Sequence, residues 1–111
     1  MTLTLYTNPM SRGRIARWAL EEAGADYDTV VIDYGPRSPE FLAVNAMGKV
    51  PAIVHDGVVV TECAASCAYL ADAFPAAKLA PPVEARGAYY RWLFFAAGPL
   101  EQAVTSRSMG W

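Results

Sequence analysis

Gly48-Lys49-Val50-Pro51-Ala52-Ile53-Val54-His55-Asp56-Gly57-Val58-Val59-Val60-Thr61-Glu62-Cys63 is the stretch on which the reading of the fold turns. Proline has no amide hydrogen to give to a sheet ladder, so Pro51 reads as the opening residue of a strand. Asp56-Gly57 suits the two positive φ angles of a type I′ turn. The β-branched runs on either side of it, 52–55 and 58–60, therefore pair as an antiparallel hairpin. Thr61 then reads as the cap of a helix reaching about Phe74, where Pro75 stops it.

Upstream, Ser38-Pro39-Glu40 has a capping hydroxyl and a proline at the first helical position, which predicts a short helix ending near Asn45. Tyr34-Gly35-Pro36-Arg37-Ser38 before it is loop chemistry. Further back, Leu3 to Thr7 alternates as a strand and Asn8-Pro9 breaks it. Ser11 can cap a helix running to about Ala23, with Ile15, Trp18 and Ala19 at helical spacing and Gly24 as its stop. Tyr27 to Asp33 carries the next strand, and a β-α-β unit of this kind crosses over right-handed, so the first two strands are expected to be parallel. The order β-α-β, α, β-β-α predicts an α/β domain with a mixed four-stranded sheet.

Downstream, Ala76 to Pro82 reads as a linker. Glu84 to about Arg107 reads as one helix that Gly98-Pro99 should kink or end. Tyr89, Tyr90, Trp92, Leu93, Phe94 and Phe95 put apolar groups on nearly every side of it, and a helix apolar all round is normally buried. The uncharged run between Arg91 and Glu101 falls far short of the roughly 20 residues a bilayer span needs. The expected division is therefore a domain over 1–76, a linker over 77–83 and a helical segment over 84–111.

With 111 residues, 54% of them hydrophobic and 18% charged, the chain is more apolar than an average soluble domain. Some of its apolar surface is expected to await a partner. A net charge of -2 without basic runs gives no electrostatic footprint for nucleic acid or an anionic membrane. The first residues lack the basic start and apolar run of a secretory signal, which points to the cytoplasm. Cys63 and Cys67 stand four apart, on one face of a helix and poorly placed for a disulfide, so two buried thiols are expected. One histidine and two cysteines make no familiar metal set, and no metal is expected.

Val50-Pro51 and Thr61-Glu62-Cys63, together with Leu5-Tyr6-Thr7-Asn8-Pro9-Met10-Ser11-Arg12, resemble the amino-terminal, thioredoxin-like domain of the cytosolic glutathione transferases over roughly residues 1 to 80. The resemblance continues into the opening helix of that family's second, all-α domain, most of which is absent. It implies a cis Val50-Pro51 bond that turns the backbone of Val50 outward to pair with the cysteinyl unit of glutathione, as an added strand would. It implies that Glu62, in the first turn of the third helix, takes the peptide's amino group. Cys63 stands where serine is common, beside a helix N-terminus that can hold the glutamyl carboxylate. Lys49 could reach the glycine carboxylate, and Met10 and Arg12 would complete the set.

The resemblance further implies attack of the glutathione thiolate on an apolar electrophile, as in detoxification, with glutathione as co-substrate, no other cofactor, and a homodimer. The thiol has a reference pKa near 8.5 and needs a partner to ionise. Ser11 resembles the serine of the serine-type classes, and its plain alternative is a helix cap. Tyr6 matches the tyrosine of the tyrosine-type classes, and its alternative is a strand residue packed in the core. Aligned to the cysteine-type bacterial class, Arg12 takes the thiol position. Related thiol-disulfide oxidoreductases place a cysteine in this turn, and Pro9-Met10-Ser11-Arg12 has none. The rival reading is a non-catalytic module that uses the fold for protein contact.

Overall fold

A computed structural model describes residues 1–111, which divide into two compact units, Met1–Leu79 and Ala80–Trp111. In the first unit the elements are β1 (Leu3–Thr7), α1 (Gly13–Ala23), β2 (Asp28–Val31), α2 (Pro39–Val44), β3 (Ala52–His55), β4 (Val58–Thr61) and α3 (Cys63–Ala73). The sheet order is β2-β1-β3-β4. β1 and β2 are parallel, while β1–β3 and β3–β4 are antiparallel. This is the mixed four-stranded, thioredoxin-like sheet expected above.

Local chemistry accounts for most boundaries. Ser38 accepts the Phe41 N–H at 3.2 Å and opens α2, with Pro39 at its first position. Gly24 closes α1 in the left-handed conformation. Asp56 and Gly57, at φ 49 and 83, form the β3–β4 turn. Alternation along β1 then sorts the faces. Leu3 and Leu5 join Ile53, Ala16 and Leu20 of α1 and Leu70 of α3 in the core. Tyr6 points to the opposite face, where its ring meets Phe41 of α2 at 5.7 Å.

α1 packs through a different stripe from the one its large residues suggest. Gly13, Ala16 and Leu20 are buried, whereas Trp18 is 70% exposed and Ile15 is also exposed. The reason is close approach: a Cβ on Gly13 would fall 1.8 Å from Thr7 Oγ1, so only the small-residue face fits against β1. A second correction concerns the start of α3. Thr61 does not cap it but pairs with Ala52 as the last residue of β4. Glu62 occupies the cap position, one step before the first turn, at φ 73 and ψ 129. A strand that turns into a helix within one residue needs an abrupt change of direction there. The two thiols are half-buried rather than buried, and neither is in a disulfide.

In the second unit, a short turn over Val83–Ala85 leads into α4 (Arg86–Phe95), and α5 (Glu101–Ser108) follows. The single helix expected from Glu84 thus becomes two, joined by the π-helical segment Ala96–Leu100, which contains Gly98-Pro99. A wide turn absorbs the proline's missing N–H without breaking the helical path. Tyr90, Trp92, Phe94 and Phe95 are exposed instead of buried. Arg91 covers Trp92 at 4.7 Å, and Trp92 meets Phe95 edge-on at 5.5 Å. No helix is long and apolar enough to cross a membrane.

Candidate glutathione site

Strand register gathers residues that are far apart in sequence. Val30, Tyr6, Ala52 and Thr61 form one row across all four strands. One step beyond that row lie the turn that leaves β1, the Val50-Pro51 peptide that enters β3, and Glu62 at the exit of β4. The site therefore lies at the carboxyl ends of β1, β2 and β4, the edge at which open α/β sheets bind ligands.

The Val50-Pro51 bond is cis. The β3 ladder starts at Ala52, so the backbone of Val50 stands outside it. Lys49 is exposed, and Asn45 Nδ2 donates to its carbonyl at 2.9 Å. Asn45 also accepts from Met47 N–H at 3.1 Å and Gly48 N–H at 2.9 Å, which fixes the loop ahead of the proline.

Across the edge, Glu62 is exposed and its side chain does not cap α3. Its carbonyl accepts the Ser66 N–H at 2.8 Å, so the preceding N–H groups open α3 as an anion-attracting end. The Cys63 thiol reaches within 3.7 Å of the Arg12 carbonyl, which brings the start of α3 against the start of α1. One turn further along, burial pushes the Cys67 thiol above its ordinary value.

Ser11 stands one residue before Arg12, which holds the cap position of α1. The Ser11 hydroxyl donates to the Asn8 carbonyl at 2.6 Å and accepts the Gly13 N–H at 3.0 Å. A hydroxyl has one proton to give, so holding a thiolate would require Ser11 to release Asn8. Tyr6, against Phe41, faces away from the side on which α1 and α3 pack. Of the two candidate thiol partners, then, only Ser11 stands at the α1 end. Met10 is exposed, with its carbonyl accepting from the Tyr34 hydroxyl at 2.8 Å. No three histidine, cysteine or carboxylate side chains come together as a metal set.

Sequence reading passed over Asn8, Tyr34 and Arg37. Asn8 is buried, donates to the Ile32 carbonyl at 3.0 Å and accepts the Met10 N–H at 2.9 Å. The Asn-Pro dipeptide was its signal, since asparagine bonds the backbone two residues on. Nothing local marks Tyr34 or Arg37, whose bonds to the Met10 and Gly48 carbonyls span 24 and 11 residues.

The family model described as "Glutathione S-transferase, N-terminal domain" matches residues 1–72. The chain belongs to the glutathione S-transferase family. Glutathione S-transferase GstA of Escherichia coli is 32% identical over 110 residues, covering 93% of this chain and 55% of GstA. Protein LigF of a Sphingobium species is 39% identical over 79 residues, covering 68% of this chain and 31% of LigF. The chain thus spans about half the length of GstA and a third of that of LigF. A solved structure of a glutathione transferase homologue from Sulfitobacter, with bound glutathione, superposes with a TM-score of 0.78. It is 31% identical, covering 99% of this chain and 56% of that one.

Proposed function

We propose that this chain is the glutathione-binding part of a transferase that activates the glutathione thiol for attack on apolar electrophiles. The observation that carries the reading is the shared edge: the cis Val50-Pro51 peptide, exposed Glu62 at the head of α3, and Cys63 within 3.7 Å of the α1 turn. Val50 pairs with the cysteinyl backbone, Glu62 takes the amino group, the α3 N–H groups take the glutamyl carboxylate, and Lys49 takes the glycine carboxylate. Met10 and Arg12 flank the sulfur. Ser11 is the thiol's partner, because it stands at the α1 end and Tyr6 faces α2. A homodimer in the cytoplasm, acting in detoxification, belongs to the same reading.

The chemistry asks for a charged sulfur at neutral pH. Lowering a thiol pKa by two units corresponds to about 2.7 kcal/mol. A charge-assisted bond from Ser11 and the α1 dipole can supply much of it, less about 1 kcal/mol for releasing Asn8. That last cost favours one second reading, binding without turnover in a module for protein contact.

Calorimetric titration of glutathione into the wild-type chain and into Glu62→Ala and Ser11→Ala tests both. Saturable binding that weakens at least tenfold in Glu62→Ala supports the site, and full affinity in that variant overturns it. Thiol ionisation in the bound complex, followed by its ultraviolet absorbance and lost in Ser11→Ala, separates catalysis from mere binding.

A further inference from the structure

Both halves of this site hang from one segment, residues 32–38 between β2 and α2. At one end Ile32 donates its N–H to the Thr7 carbonyl at 2.8 Å and accepts from Asn8 Nδ2 at 3.0 Å. The Tyr34 hydroxyl then bonds the Met10 carbonyl at 2.8 Å. At the other end Arg37 Nε donates to the Gly48 carbonyl at 2.8 Å. Its Nη1 turns back onto the carbonyls of Asp33 and Gly35. Gly48 sits at φ +67, and a Cβ there would lie 3.2 Å from Arg37 Cγ, so the arginine stem rests where a side chain would otherwise stand.

Asn8 and Asn45 each organise one loop from within. Residues 32–38 join the two loops to each other. We propose that this segment is a brace that sets the separation between the sulfur end and the peptide end of the glutathione site, with Tyr34 and Arg37 as its positioning residues. The ligand in this inference rests on the glutathione reading, whereas the mechanics rest on the hydrogen bonds alone. An extended tripeptide that contacts the α1 turn and Val50 together binds well only if both anchors wait at the right spacing, because ordering them on binding subtracts from affinity. Arginine suits the role: its planar fork serves several carbonyls at once, and a lysine ammonium does not reproduce that fork.

Tyr34→Phe, Arg37→Lys and Arg37→Gln test the brace in the full chain. Amide hydrogen exchange of the ligand-free chain is the first readout, and glutathione affinity by calorimetry is the second. Arg37→Gln is expected to speed exchange at Gly48–Val50, and Tyr34→Phe at Met10–Ser11, with global unfolding unchanged. Each is expected to weaken glutathione about two- to tenfold, the span of one lost hydrogen bond, with Arg37→Lys restoring little. Unchanged affinity in variants of a wild-type chain that binds glutathione overturns the proposal. Should the wild type not bind, the glutathione reading fails by itself. Exchange then decides the brace: faster exchange in the named loops upholds it, and unchanged exchange overturns it.

Discussion

Gly13→Ala is the sharpest probe of how α1 is seated. The added Cβ would lie 1.8 Å from Thr7 Oγ1 and 2.9 Å from Thr7 Cβ. The first distance is more than an ångström inside ordinary contact. Turning the Thr7 side chain does not clear the way, because the 2.9 Å contact with Thr7 Cβ does not move with χ1. Thr7 is itself buried, at 3% exposure, so it has nowhere to go. Overpacking costs about 1–3 kcal/mol, and the better helix propensity of alanine returns up to about 1 kcal/mol. For so short a contact the upper end of the overpacking cost applies, and the net loss of about 2 kcal/mol lowers the Tm of a domain of this size by roughly 8–16 °C.

Because α1 carries Ser11 at its head, the same shift is expected, on the proposed function, to weaken glutathione binding. Denaturant unfolding of Gly13→Ala, Thr7→Ala and the double variant, read as a double-mutant cycle, checks the cause. Thr7→Ala is expected to recover more than half of the loss, since it removes the 1.8 Å contact and leaves the 2.9 Å one. A Gly13→Ala chain as stable as the parent, or losses that simply add, would refute the packing argument.

Other expectations follow from single residues. Glu62 sits at φ 73, so Glu62→Gly is expected to be about 1 kcal/mol more stable than Glu62→Ala by denaturant midpoint, while both lose glutathione affinity. Ser66 is fully buried in α3 and its hydroxyl has no partner. Ser66→Ala is expected to raise unfolding free energy by about 1 kcal/mol, with no gain arguing against an unpaired hydroxyl. Burial raises the Cys67 thiol pKa, so the folded chain keeps a proton that the unfolded chain has released. That contribution is complete below the unfolded thiol's pKa, about 8.5, and disappears as pH rises through the folded value. Cys67→Ala is expected to flatten the alkaline part of the stability profile, measured as denaturation midpoints from pH 7 to 10.

The sequence by itself determined what a few neighbouring residues can enforce. Asp56-Gly57 dictates its hairpin, Ser38-Pro39 its helix start and Gly24 its helix stop, because each acts through φ preferences or hydrogen bonds within one turn of chain. The right-handed crossover made β1 and β2 parallel for an equally general reason. Sequence reading placed Thr61 at the cap and set Ile15 and Trp18 on the helical stripe of α1, since propensity and periodicity do not register how closely a helix approaches a strand. Gly13 against Thr7 decided that face. Tyr6 and Ser11 were both candidates for the thiol from sequence, and only the folded chain sets them apart in space, Tyr6 beside Phe41 of α2 and Ser11 at the head of α1. Only tertiary structure could bring Val50, Glu62 and the α1 turn to one edge, because register is a property of strands paired across the chain and no local window contains it.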